Sequence, residues 1–76
     1  MKDIEIDIGT EIRKRLHEQG LSVNWLAERI GADNSNLGKM LSNQRLSIKH
    51  LVRISIVLDK DFFEYFSKEI TKMRGG

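Results

Sequence analysis

The side chains best suited to chemistry lie between Asn34 and Ser42, in the run Asn-Ser-Asn-Leu-Gly-Lys-Met-Leu-Ser. On a helical wheel centred on Leu37, the residues Ser35, Lys39 and Ser42 fall on the opposite side, with Asn34 and Asn36 at the flanks of the first turn. That face holds short hydrogen-bonding groups and one cation, and it holds no acid and no large apolar group. Base edges in the major groove of a duplex present matching donors and acceptors. A merely solvated helix face has the same composition, so the surrounding elements decide between the two readings.

Those elements are legible. Ser22 has the hydroxyl of a helix N-cap, and Val23, Leu26, Ala27 and Ile30 recur behind it at helical spacing. Gly31 is placed to end that helix in the left-handed conformation. Asp33 can cap the next helix, in which Leu37, Met40 and Leu41 face inward. Two short amphipathic helices joined by a tight glycine turn predict a helix-turn-helix over residues 22–42. Past that helix, Asn43 is expected to take the left-handed cap position, and Gln44 and Arg45 extend the polar face to a place suited to a phosphate.

The flanking segments complete a small domain. Residues 2–8 alternate with period two, a strand pattern, but one short strand is not stable alone. Segment 1–7 is therefore expected as an extended arm packed on the domain, with pairing to a second subunit's arm as the alternative. The first helix is expected to follow Asp7 and run to about Gln19, burying Ile8, Ile12 and Leu16 and stopping at Gly20. Arg13, Lys14 and Arg15 should ride on its outer surface, with Arg13 in reach of a phosphate. Trp25 lies nearly opposite the buried face of its helix and is expected half-buried under Arg29 in a cation–π contact. Ser47 should cap a fourth helix with Ile48, Leu51, Val52, Ser55 and Leu58 inward and Ile56 exposed. Asp61 and Glu64 have the form of a capping box for a fifth helix, Asp61 to Met73, with an apolar stripe at Phe62, Phe66, Ile70 and Met73. The core should be covered by about Phe66, so Ile56, Phe63, Ile70 and Met73 are expected to form a dimer face. The domain proper is expected over 8–73, with 74–76 a flexible tail.

Five helical patterns in 76 residues with no proline argue for one all-α bundle with a thin stability margin. The absence of cysteine excludes disulfides and thiolate zinc sites. No apolar run approaches the ~20 residues of a membrane span, and no secretory signal is expected ahead of the fold. His17 and His50 are isolated, and no nucleophile, phosphate-cradling or metal motif surrounds them, so neither catalysis nor a metal is expected. The net charge of +2 is uneven: residues 12–58 carry eight cations against three acids, while residues 1–11 carry one cation against four acids. A positive field over the central helices suits a polyanion partner.

Ser22, Leu26-Ala27, Ile30-Gly31-Ala32, Leu37, the Ser42-Asn43 helix exit and the run from Leu51 to Leu58 resemble the lambda-repressor-like, or Cro/repressor-type (XRE), helix-turn-helix family. The likeness spans roughly Ile8 to Phe66. It implies a compact five-helix bundle, a double-stranded DNA partner, a homodimer, no cofactor, and a role as a transcriptional regulator such as a repressor in the bacterial cytoplasm, associated with the nucleoid. It also implies that Asn34, Ser35 and Lys39 read bases and that Asn36 touches base or phosphate. Arg13, Ser22, Asn24, Ser42, Gln44 and Arg45 would make up the phosphate-binding set. Val23 stands where the family often has a phosphate-binding glutamine, so that contact is lost or passes to Asn24. Leu16 and Leu41 stand where many members have a buried Arg–Glu pair, an exchange that is often neutral or stabilising. Gly38 sits inside the reading helix at a cost of roughly 1 kcal/mol relative to alanine, leaving a gap for close backbone approach. A protein-interaction module or antitoxin acting through the fifth helix is the alternative function.

Overall fold

A computed structural model describes residues 3–75 of the chain. Short oxygen-bearing side chains start its helices by accepting from N–H groups that the first turn leaves unpaired. Asp7 accepts from Thr10 N at 3.0 Å, Ser22 from Trp25 N at 3.1 Å, Asp33 from Ser35 N at 3.1 Å and Ser47 from His50 N at 3.1 Å. They open α1 (Ile8–Glu18), α2 (Val23–Ile30), α3 (Asn34–Ser42) and α4 (Ile48–Val57). Asp61 Oδ1 accepts from Phe63 N at 2.9 Å at the start of α5 (Phe63–Gly75). The described residues are thus an all-α, five-helix bundle with no strand.

One apolar core joins the helices. Ile8, Ile12 and Leu16 of α1 meet Leu26, Ala27 and Ile30 of α2, Leu37 and Leu41 of α3, and Leu51 and Ile54 of α4, closed by Leu58 and Phe62. No buried side-chain polar atom lacks a partner among the described residues. Leu16 and Leu41 are both core residues, as their apolar character requires. The turn between α2 and α3 is made by Gly31 at φ 74°, a left-handed conformation that costs glycine little.

α1 is fastened to α3 at very short range. A Cβ on Gly9 would lie 1.9 Å from the Leu41 carbonyl oxygen, so the two backbones touch where glycine stands. Gln44, just past α3, accepts from Gly9 N at 3.3 Å through Oε1 and donates to Asp7 through Nε2. One turn along α1, Arg13 Nη2 donates to Gly38 O at 3.3 Å and to Ser42 Oγ at 3.2 Å. Arg15 is half-buried rather than riding outside, because its Nε donates to Leu58 O at 3.2 Å and ties α1 to the end of α4.

Several expectations need correction. The left-handed residue after α3 is Gln44 (φ 56°), not Asn43 (φ −96°), because Gln44 must turn back to reach α1. On α4, Ile48 is 74% exposed and Val52 42% exposed, while Ile54 is fully buried. The inner face is set by Leu51, Ile54 and Leu58, and Ser55 is half-buried, bonding Leu51 O and Phe62 N. Glu64 does not complete a capping box; it pairs with Lys68 at 2.7 Å. α5 begins at Phe63 and continues through Arg74 to Gly75, where a flexible tail was expected. Gly76, Met1 and Lys2 lie outside the described residues. Over residues 3–7 the arm forms no strand; Ile6 packs against the core, Ile4 is exposed, and Glu5 pairs with Lys72 at 3.3 Å. Phe66 is the last residue of α5 packed on the core.

Gly9 and Gly38, each inside a helix, predict opposite outcomes. Gly9→Ala forces the α1–α3 backbones apart and lowers the unfolding free energy by about 3 kcal/mol. At Gly38 nothing lies within 4 Å of the added Cβ, so Gly38→Ala raises stability by about 1 kcal/mol. Chemical denaturation of both variants measures each change. Asp7 supplies a pH signature. Its carboxyl is held below the ordinary 3.8, first by the Thr10 N–H and then by the Gln44 amide. A lowered folded-state pKa gives stability that is present above the unfolded value and lost as pH falls through the folded one. Asp7→Asn keeps an acceptor but cannot ionise. The melting-temperature gap between the wild type and Asp7→Asn is therefore constant well above pH 3.8 and closes below it.

Candidate nucleic-acid interface

α3 turns Leu37 and Leu41 into the core and half-buries Met40, which leaves Asn34, Ser35, Asn36, Lys39 and Ser42 exposed. No other part of the described residues covers them. On one side of this ridge is an open depression of about 470 Å³, bounded by Arg13, Val23, Asn34, Gly38 and Ser42 among others. On the other side is one of about 380 Å³, bounded by Asp33, Asn36, Met40, Arg45 and His50 among others. Lys39 and Asn43 border both depressions, so they mark the crest between them. A helix seated between two hollows stands proud of the body.

The charges follow the same layout. Lys39 sits on the crest, Arg13 on the α1 flank and Arg45 on the opposite flank. Arg13 uses only Nη2 in its two bonds to α3, and a guanidinium has five N–H donors, so several remain for an outside acceptor. Asp33 is the acid at the rim, and its Oδ1 is engaged by Ser35 N. His50 is half-buried with Nδ1 2.7 Å from Ser47 Oγ, at the N-terminus of α4 beside Arg45.

The residues expected to touch a partner divide into groups. Asn34, Ser35, Asn36, Lys39 and Ser42 share the exposed ridge with Arg13 at its flank. Ser22 caps α2 through its oxygen and Asn24 is exposed in the first turn of that helix. Gln44 stands apart: both ends of its amide are engaged by Asp7 and Gly9, so the side chain expected at a phosphate faces α1. Trp25 is half-buried with the Arg29 guanidinium carbon 5.0 Å from its ring centroid, the cation–π contact its spacing predicts. The expected dimer residues differ in exposure. Phe63 packs on the core, while Ile56 is 73% and Ile70 56% exposed and Met73 is half-buried. Gly9 was missed by sequence reading. A glycine inside an apolar-periodic helix is itself the signal of a packing requirement there.

No helix among the described residues is long and apolar enough to cross a membrane. No curated protein and no solved structure matches the chain. A family model for the Cro/C1-type HTH DNA-binding domain matches residues 11–65, from the first turn of α1 to the first turn of α5. That span takes in the capped helix pair, the glycine turn and the exposed ridge, and the protein belongs to the Cro/C1-type HTH DNA-binding domain family, a family of DNA-binding regulators and not of enzymes.

Proposed function

We propose that the protein is a sequence-specific transcriptional regulator that lays α3 in the major groove of double-stranded DNA and binds as a homodimer. The observation that carries this reading is the α3 ridge, polar and uncovered, with a hollow and a cation on each flank. A helix with its side chains is about 10–12 Å across, and the major groove is about 12 Å wide. With α3 in the groove, the two sugar-phosphate strands run over the two hollows, one beside Arg13 and Ser42 and the other beside Arg45. Asn34, Ser35, Asn36 and Lys39 then face base edges: asparagine can pair with adenine and lysine can reach guanine acceptors. Arg13, Ser22, Asn24, Ser42 and Arg45 hold the register through phosphates. Gln44 has no part in this set, since its amide is spent on α1.

A single module of this size offers a limited interface with DNA, about 600–1,000 Å². Two copies related by a two-fold axis present two α3 helices about 34 Å apart to successive major grooves and double the contact.

Selection of bound duplexes from a random pool tests the reading, which requires a palindromic consensus. On the selected duplex, Lys39→Ala weakens binding by about 1–3 kcal/mol. On a scrambled duplex the same change has a smaller effect. Equal losses on both, measured by fluorescence anisotropy at fixed salt, would confine Lys39 to phosphate contact.

A further inference from the structure

Three residues four apart on α4 form an unmet apolar stripe: Ile48 is 74%, Val52 42% and Ile56 73% exposed. At four-residue spacing they lie one above another on one side of the helix. From α4, Leu51 and Ile54 are buried and Val57 packs half-buried on the core, so the stripe contributes little to the domain's own core. It spans about 12 Å at 1.5 Å per residue.

We infer that a second copy of this chain covers the stripe, with the two α4 helices antiparallel about a two-fold axis at Val52. The inference specifies the surface behind the homodimer proposed above and rests on that reading. The first support is the order of the stripe. It reads Ile, Val, Ile at equal spacing, so reversing one copy sets Ile48 against the partner's Ile56 and Val52 against the partner's Val52. A two-fold interface demands such self-complementarity, in which each residue meets its counterpart reciprocally.

The second support is charge. α4 carries no acid, and Arg45 and Lys49 lie exposed at its N-terminal end. Asp59 and Asp61 lie exposed just past its C-terminal end. Lys60 lies between them, its Nζ 5.6 Å from the Tyr65 ring centroid, and the two aspartates against this one lysine leave that end acidic by a single charge. Antiparallel pairing therefore brings the basic end of each copy to the acidic end of the other. Parallel pairing sets like against like. A stripe of three residues is small against the roughly 1,000 Å² of a stable interface. The free chain should self-associate weakly, and a palindromic duplex that seats two copies raises their effective concentration and completes the dimer.

Sedimentation equilibrium over a concentration series up to the solubility limit tests this. The wild type shows a reversible monomer–dimer equilibrium. Ile48→Lys alone and Ile56→Glu alone each weaken it at least about tenfold, equivalent to about 1.4 kcal/mol. Both positions are exposed, and circular dichroism melting checks that the variants stay folded. In the double variant the introduced charges face each other across the axis, so Ile48→Lys/Ile56→Glu recovers association that neither single variant has. Ile70→Glu leaves association unchanged. The inference falls if the wild type remains monomeric throughout, if the double variant is as dissociated as the singles, or if Ile70→Glu is the change that separates the copies. Failure of the DNA-reading proposal shows separately, as a wild-type chain without sequence preference whatever its oligomeric state.

Discussion

The backbone contact between Gly9 and Leu41 leaves no room for even a methyl group, and the placement of α3 depends on it. Two helices that meet through side chains can adjust by changing rotamers. Two that meet through backbone are stopped by hard atoms, so their separation is fixed within narrow limits. Gln44 then locks the rotation by joining the start of α1 to the end of α3, and Arg13 repeats the fastening one turn along. The ridge owes its height above the body to this joint, although Gly9 and Gln44 present nothing to a partner. In the proposed complex the lysine and asparagines of the ridge would carry the recognition chemistry, and α1 would supply the rigidity that recognition needs.

The core holds this arrangement with a single contribution from the ridge, the Ser42 hydroxyl that accepts from Arg13. Leu16 and Leu41 fill the space between α1 and α3 with hydrocarbon, so no buried ion pair has to be desolvated or kept satisfied. None of the described polar or charged side chains is fully buried. Stability and the proposed recognition therefore fall to different atoms of the same helix: Leu37 and Leu41 on one side, Asn34, Ser35, Asn36, Lys39 and Ser42 on the other. Changes to the outer side should alter binding with little penalty in folding. The surface pairs Glu5–Lys72 and Glu64–Lys68 are solvated and add little to either property.

Most features that depend on nearby residues were legible in the sequence, the Asp61–Glu64 capping box excepted, and features that depend on distant ones were not. The caps at Asp7, Ser22, Asp33 and Ser47 each join residues two or three apart, and the Gly31 turn is equally local. α4 defeated periodicity because apolar residues surround its axis, so several phases fit the same pattern. The choice of Leu51 and Ile54 over Ile48 and Val52 was made by packing against α2 and Phe62. Asn43 and Gln44 are both acceptable after a helix. What selects Gln44 for the left-handed turn is a partner 35 residues away at Gly9. The polar ridge was readable because exclusion from the core is a property of side-chain type. The geometry of its flanks was not, since Arg13 and Arg45 reach the same helix from elements far apart in the chain.

Those flanks are unequal, and the inequality bears on how the proposed complex would form. Arg13 is already tied to the Gly38 carbonyl and the Ser42 hydroxyl, so much of its side-chain freedom is gone before any partner arrives. A phosphate meeting it loses less to ordering, which favours a fixed register. Arg45 is exposed and has no side-chain bond among the described residues. It can follow a phosphate over a range of positions and contributes through charge, which salt screens over about 8 Å at physiological strength. In the proposed complex the domain would approach DNA loosely on the Arg45 side and settle on the Arg13 side. The fastened flank lies next to the Gly9 joint, so alignment is strictest where the backbone itself is most constrained.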